Sequence, residues 1–143
     1  MKELPKSTKV VVIGGGVAGT SCAYHLAKFG WKDVVLLERD LLTSGTTWHA
    51  AGLLGQLGAS STITKIRKYS LDLYKDLEKT TGLSTGMKQN GAITVASTKE
   101  RMQELLRQAT TAQLSDVEVE VINKKRLMEL YPVLHSEDIV GGV

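Results

Sequence analysis

Three glycines near the start of the chain have the spacing of a dinucleotide-binding loop. Gly14, Gly16 and Gly19 form a Gly-x-Gly-x-x-Gly pattern after an apolar run, and Glu38 follows nineteen residues after Gly19. The first glycine permits a tight turn, the second lets a pyrophosphate approach the backbone, and the third lets helix and strand pack closely. An acid at this distance accepts ribose hydroxyls and repels a 2′-phosphate. The pattern therefore predicts a site for FAD or NAD and disfavours NADP.

The residues around these glycines predict the elements that would position them. Residues 9–13 are a β-branched run typical of a buried parallel strand, and small and apolar residues recur at helical spacing over 17–29. A second apolar run, 33–38, predicts the next strand. The N–H groups of Val17 and Ala18 would open the helix and face the phosphates. The sequence thus predicts an α/β fold with a Rossmann-type βαβ unit.

A long loop follows the second strand, and loops of this length are more often functional than idle. Residues 39–60 are rich in Gly, Ser and Thr, whose hydroxyls and N–H groups can line a pyrophosphate or a ring edge. His49 is the only strong nucleophile in the segment 43–53. Besides Gly14, Gly16, Val17, Ala18, Gly19 and Glu38, the candidate cofactor-binding residues are Arg39, Gly45, Thr46, Thr47, Trp48, His49, Ala50, Ala51, Gly52 and Leu53.

Six segments of the sequence resemble those of one protein family. Five of them are residues 11–16, 24–28, 35–39, 81–86 and 89–91. The sixth and most specific is 42–54, Leu-Thr-Ser-Gly-Thr-Thr-Trp-His-Ala-Ala-Gly-Leu-Leu. They resemble the flavin-dependent N-methylglycine dehydrogenases, the sarcosine and dimethylglycine enzymes of the D-amino-acid-oxidase-like superfamily. The resemblance covers essentially the whole chain but only the N-terminal portion of such a protein. In that family the histidine of the Thr-Trp-His segment carries FAD covalently through the 8α-methyl group, and the matching position is His49.

The resemblance also implies an activity. Residues 44–47, 54–57 and 89–91 favour the sarcosine enzyme over its dimethylglycine sibling, although Gly55, Gly58 and Met87 depart from that pattern. The implied reaction oxidises sarcosine to glycine and formaldehyde. The implied partner is electron-transfer flavoprotein, a tetrahydrofolate site is implied in a later region, and the implied location is the mitochondrial matrix or a bacterial cytoplasm.

Three other interpretations stay open. The chain could belong to a dimethylglycine dehydrogenase, or to a non-catalytic relative such as the regulatory subunit of pyruvate dehydrogenase phosphatase. The full loop around His49 is not expected in that regulatory protein. A noncovalent NAD enzyme would give His49 no role.

The second half of the chain predicts a different architecture. The sequence predicts a helix over 61–80 with a buried stripe at Ile63, Ile66, Ser70, Leu73 and Leu77, a strand over 92–96, a capping box that begins at Ser97, a strand over 117–121 and a helix after Asn123. One βαβ unit supplies only two parallel strands, so the predicted sheet is incomplete. We assign 1–58 to the FAD-binding unit and flavin loop. Residues 59–143 are assigned to the start of an α+β substrate domain and the return to the FAD domain, in a truncated chain that is inactive alone.

Composition excludes several classes of protein. The 143 residues are 42% hydrophobic and 23% charged, unlike a disordered chain, and the single cysteine, Cys22, excludes an internal disulfide. The net charge of +3 is dispersed, which disfavours nucleic acid as a partner. Residues 10–27 lack charges, but glycines and polar residues interrupt them, so we expect no membrane span. We predict no metal site and no catalytic residue in this chain, and we see no targeting peptide.

Overall fold

The computed structural model describes residues 5–58 and 60–143 and divides the chain into two compact units, one that ends at Leu53 and one that begins at Leu54. The first unit contains β1 (Val10–Ile13), α1 (Val17–Lys28) and β2 (Val34–Leu37). The two strands pair in parallel, with Val10 opposite Val34 and Ile13 opposite Leu37. This confirms the predicted βαβ unit.

The end of α1 follows from a glycine. The helix is capped at Phe29, and Gly30 then adopts a φ of +87°, a left-handed conformation that a side chain would disfavour. The N–H of Gly30 donates to the carbonyl of Ala27 at 3.0 Å, and that of Phe29 to His25 at 2.9 Å. The chain can therefore leave the helix and return to β2 within five residues.

The second unit mixes helices with a short antiparallel pair. Its elements are α2 (Ser61–Thr81), β3 (Val95–Ala96), α3 (Lys99–Gln113), α4 (Lys124–Leu130) and β4 (Gly141–Gly142). Val95 pairs with Gly142, and Ile122 forms an isolated bridge to the same glycine. The α+β character of this region is as predicted.

Its core lies where α4 meets the antiparallel pair. Ile122, Leu127 and Ile139 form a buried cluster, and Val95 and Leu134 pack against it. The Asn123 side chain accepts from the Arg126 N–H at 2.9 Å, as an N-cap should, so the predicted start of α4 is confirmed.

The predicted buried stripe of α2 is wrong at its N-terminal end. Ile63 and Ile66 are 42% and 56% exposed, whereas Thr64 and Leu71 are buried. The Lys68 ammonium on the same face donates to the carbonyls of Ser115 and Asp116, at 2.8 and 3.0 Å, beyond the end of α3. The buried positions, Thr64 and Leu71, therefore lie one residue after the predicted Ile63 and Ser70.

Three other expectations from the sequence need correction. Thr98 rather than Ser97 caps α3, since its hydroxyl accepts from the Arg101 N–H at 3.1 Å. Of the predicted strand 92–96, only Val95–Ala96 forms. Residues 117–121 are not a strand, although the burial of Val117 fits the predicted alternation.

Candidate cofactor site

The glycine turn joins β1 to α1 by close backbone contacts. Gly14 has a φ of +100°, and its N–H donates to the Leu37 carbonyl at 2.8 Å. A Cβ added at Gly19 would collide with the carbonyl oxygen of Gly14. Glycine is therefore required at both positions, at the first by backbone conformation and at the second by space.

Glu38 reaches back from the end of β2 to this turn. Its Oε2 accepts from the Gly15 N–H at 2.6 Å, and its Oε1 accepts from the Asp40 N–H at 3.1 Å. These bonds, the one from Gly15 first, lower the pKa of Glu38 below its ordinary value. The side chain is thus an ionised acceptor held at the turn, which is what ribose hydroxyls require.

The loop after β2 folds over the same turn. The Thr43 N–H donates to the Gly15 carbonyl at 2.9 Å, and the Thr47 hydroxyl accepts from the Val17 N–H at 2.9 Å. A Cβ added at Gly16 would lie 3.0 Å from that hydroxyl oxygen. The loop therefore lies directly on the N-terminal turn of α1. Sequence reasoning placed Thr47 in the site but did not find its bond to Val17, since no local pattern encodes a contact across thirty residues.

His49 lies in a short turn of that loop. Its Nδ1 is 3.0 Å from the Gly45 carbonyl oxygen, and its backbone N–H donates to the Thr46 carbonyl at 3.1 Å. A carbonyl oxygen only accepts, so in the neutral ring this contact places the proton on Nδ1 and the lone pair on Nε2. The side chain is exposed, and its basic nitrogen is therefore accessible.

The structure brings together only part of the predicted set. The glycine turn, Glu38 and Thr47 share contacts, whereas the other loop candidates have exposed side chains or backbone: Arg39, Gly45, Thr46, Trp48, Ala50, Ala51, Gly52 and Leu53. Their assignment to the cofactor stays a prediction. The residues that do meet fit a dinucleotide, because a side-chain-free turn, a helix N-terminus and an ionised acceptor converge there.

The comparison with protein families decides which kind of dinucleotide protein this is. Residues 9–143 match the family described as FAD-dependent oxidoreductase, DAO. The chain belongs to this family. The cofactor of the family is FAD, so the choice that the glycine motif left open between FAD and NAD is made in favour of FAD.

The chain is similar in sequence to both kinds of enzyme that its motifs resemble, the sarcosine and dimethylglycine dehydrogenases. It is 43% identical over 141 residues to dimethylglycine dehydrogenase of Rattus norvegicus and 42% identical over 141 residues to sarcosine dehydrogenase of Homo sapiens. It is also 41% identical over 140 residues to the pyruvate dehydrogenase phosphatase regulatory subunit of Mus musculus. At least 98% of this chain is covered in each case, but only 15–16% of each relative. The predicted resemblance is confirmed.

Solved structures confirm the DAO-like FAD-binding fold. L-proline dehydrogenase from P. horikoshii superposes with a TM-score of 0.88 at 26% identity, over 97% of this chain and 36% of that one. Glycine oxidase from Bacillus cereus gives 0.74 at 28% identity, over 95% and 38%.

Among the described residues, no helix combines the length and the apolar character needed to cross a membrane. Within residues 5–58 and 60–143, no three or more His, Cys, Asp or Glu side chains are grouped as metal ligands would be.

Proposed function

We propose that the full-length protein is an FAD-dependent dehydrogenase that oxidises the N-methyl group of sarcosine to give glycine and formaldehyde. Membership of the FAD-dependent oxidoreductase family and the similarity to sarcosine and dimethylglycine dehydrogenases support this activity. Dimethylglycine is the alternative substrate, since identity to the two kinds of enzyme differs by only one percentage point.

The observation that carries the proposal is the His49 turn beside the glycine turn. In the neutral ring, the bond from His49 Nδ1 to the Gly45 carbonyl favours the tautomer whose Nε2 is the nucleophile, and this side chain is exposed. FAD, when bound, supplies an electrophilic methyl carbon and the two-electron acceptor for the amine. We assign His49 as the covalent attachment point.

The other residues of the site bind and orient. The backbone around Gly14, Gly16 and Gly19 and the amides of Val17 and Ala18 would hold the pyrophosphate at the start of α1. Glu38 accepts the ribose hydroxyls, for which its ionised state is suited. The segment 45–53 would follow the remainder of the dinucleotide. We assign no residue of this chain to proton transfer or to the amine.

The wider setting follows from the same similarity. We assign electron-transfer flavoprotein as the electron acceptor, a tetrahydrofolate site outside this chain, and the mitochondrial matrix as the location, with a bacterial cytoplasm as the alternative. The names of several relatives include the word mitochondrial. We also propose that residues 1–58 are the FAD-binding unit and flavin loop, and that residues 59–143 are the start of the substrate domain and the return to the FAD domain.

The attachment is tested by denaturing the full-length protein in acid and measuring flavin fluorescence on the separated polypeptide. We expect fluorescence on the wild type and on His135→Ala, whose histidine is also exposed, but none on His49→Ala. Flavin that leaves the wild-type polypeptide entirely, or stays on His49→Ala, would contradict the attachment.

Turnover separates the substrates and the alternative function. Sarcosine and dimethylglycine are compared by formaldehyde release with the loaded protein, and we expect the higher kcat/KM with sarcosine. The 41% identity to a phosphatase regulatory subunit favours one second candidate, a non-catalytic regulatory protein. That candidate predicts neither retained flavin nor turnover of either amine.

A further inference from the structure

Thr43 adopts a backbone conformation that threonine rarely takes. Its φ is +66°, in the left-handed region, and among the described residues the one other non-glycine with a positive φ is Asp116. Aspartate tolerates this region, whereas a β-branched residue in it is an outlier. Such strain persists only where the surrounding structure fixes the backbone, so contacts in the folded protein must hold Thr43 in place.

Those contacts are made with Gly15, which lies between the first two glycines of the dinucleotide motif. The Thr43 N–H donates to the Gly15 carbonyl at 2.9 Å. The neighbouring Leu42 lies over the same glycine, since a Cβ added at Gly15 would be 2.5 Å from the Leu42 Cδ2 atom. The Gly15 N–H donates to the Glu38 carboxylate at 2.6 Å. Gly15 is thus buried with both of its backbone polar groups bonded, and it gives the loop a fixed point of attachment.

The backbone direction at Thr43 sets the position of the turn that contains His49. Gly45 follows Thr43 by two residues, and its carbonyl accepts from the Trp48 N–H at 3.2 Å. The same carbonyl is 3.0 Å from Nδ1 of His49. Because only one residue separates Thr43 from Gly45, a change of φ at Thr43 would move this carbonyl and the imidazole bonded to it.

We propose that Thr43 is a positioning residue for flavin attachment: its left-handed backbone, held by the N–H bond to Gly15, orients the turn from which His49 reacts. The proposal rests on the proposed function, because it takes His49 as the attachment point. In that reaction Nε2 forms a bond to the 8α-methyl carbon of the flavin. The methyl carbon and Nδ1 each release a proton, the flavin ring accepts the electron pair, and dissolved dioxygen then reoxidises the ring. Thr43 takes no part in these bond changes and only fixes where Nε2 lies.

The test follows attachment in the full-length protein, produced under riboflavin limitation and then incubated with saturating FAD in air. Flavin fluorescence on the acid-denatured polypeptide gives the rate. Thr43→Pro removes the N–H and excludes a positive φ. We expect attachment to be at least about fivefold slower, the factor that corresponds to a hydrogen bond of ~1 kcal/mol. Because the Thr47 hydroxyl still accepts from the Val17 N–H, attachment should be slowed rather than abolished.

Three further substitutions separate the backbone of Thr43 from its side chain. Thr43→Gly keeps the N–H and relieves the strain, so attachment should be at least as fast as in the wild type. Thr43→Val keeps the N–H and the branched Cβ and should match the wild type. Asp116→Gly relieves the other positive φ, in the second unit, and as the matched control it should leave the rate unchanged.

The two proposals fail in different ways. Wild-type rates in Thr43→Pro, or slower attachment in Thr43→Gly or Thr43→Val than in the wild type, would overturn the positioning role. FAD titration of Thr43→Pro in a His49→Ala background shows whether the first unit still folds, and if it binds no FAD, the rates of Thr43→Gly and Thr43→Val decide. A wild-type polypeptide that retains no flavin would remove His49 as the attachment point, and the proposed function would fail on that result alone.

Discussion

In the unit that ends at Leu53, Gly15 is the only buried residue among those described, whereas the unit from Leu54 contains every buried apolar side chain of the described chain. Val11 and Ile13 of β1 are 49% and 85% exposed, and α1 has no buried residue. Leu105 and Leu127 of the second unit are fully enclosed.

The difference teaches which forces order each region. Among the described residues, the first unit is held by the pairing of β1 with β2, by the glycine turn and by single side chains such as Glu38 that bond to the backbone, and many of its apolar side chains stay partly exposed. The second is ordered by apolar packing. Changes in the first unit should therefore alter cofactor binding, and changes in the second should alter the free energy of unfolding.

The largest expected effect tests whether apolar packing stabilises the second unit. Leu127→Ala removes a fully buried side chain from the cluster with Ile122 and Ile139, and we expect the free energy of unfolding to fall by about 2–5 kcal/mol. Urea unfolding of the full-length protein measures it. Leu114→Ala, at a residue that is 85% exposed, should change it by less than about 0.5 kcal/mol. Equal losses in the two variants would contradict the contrast.

Gly19→Ala tests whether a change in the first unit alters cofactor binding. The new Cβ would collide with the Gly14 carbonyl and push α1 away from the turn. Overpacking of this kind costs ~1–3 kcal/mol, so we expect FAD affinity to fall by roughly 5- to 150-fold. Equilibrium titration of the flavin-free protein with FAD measures the change.

The control for Gly19→Ala is Gly55→Ala. Its Cβ would meet nothing closer than 4.0 Å, the distance to an Arg67 side-chain nitrogen, and we expect wild-type affinity. Wild-type affinity in Gly19→Ala as well would show that the close approach of helix and turn is not needed for the cofactor.

The same contrast explains what could be predicted from the sequence. The βαβ unit was predictable because its signals are local: glycine spacing, β-branched runs and an acid at a fixed distance. The Asn123 cap was predictable for the same reason, since the bond spans three residues. The identity of the family rested on the long motif around His49, which is specific enough to be recognised without a structure.

What could not be predicted depends on partners that are distant in sequence. The alternation over 117–121 predicted the burial of Val117, but it is wrong at Val121, which is 49% exposed, whereas the next residue, Ile122, is buried. A strand also needs a neighbour, and of these residues only Ile122 pairs, with Gly142. Thr64 is buried rather than Ile63, and its hydroxyl bonds to Gly58 and Ser60, two residues that precede the helical pattern. The Thr47 bond to Val17 belongs to the same class.

Thr64 sharpens the comparison, because it is a polar group inside the unit that we describe as apolar. It is 1% exposed, and its hydroxyl donates to the Ser60 carbonyl and accepts from the Gly58 N–H, both at 3.0 Å. Thr64→Val keeps the shape but leaves that N–H without its acceptor. We expect a loss of about 1–3 kcal/mol in urea unfolding. Thr80→Val, which removes an exposed hydroxyl, should have little effect. An unchanged free energy of unfolding in Thr64→Val would mean that the shape of the side chain, and not its hydroxyl, stabilises this site.

The smallest expected effect concerns an ionised group in the second unit that bonds to backbone much as Glu38 does in the first. Glu78 Oε1 accepts from the Thr85 hydroxyl at 2.8 Å, from the Thr85 N–H at 2.6 Å and from the Ser84 hydroxyl at 3.0 Å. The Thr85 hydroxyl first, and then its N–H, lower the pKa of Glu78 below its ordinary value of 4.5. A lowered pKa in the folded state means that ionisation stabilises this turn above pH 4.5 and that the stabilisation is lost as the pH falls through the folded pKa.

Glu78→Gln isolates that charge, and amide exchange of Thr85, corrected for intrinsic rates, measures its effect. At pH 7 we expect Thr85 to be less protected in the variant than in the wild type. On acidification below pH 4.5 the wild type should lose protection and approach the variant, which titrates no group at this position. Glu118→Gln, at an exposed residue, should leave Thr85 protection unchanged at both pH values. If the difference in Thr85 protection between wild type and Glu78→Gln stayed constant with pH, the charge of Glu78 would not be what stabilises this turn. The turn would then depend on side-chain shape, as the apolar core of the second unit does.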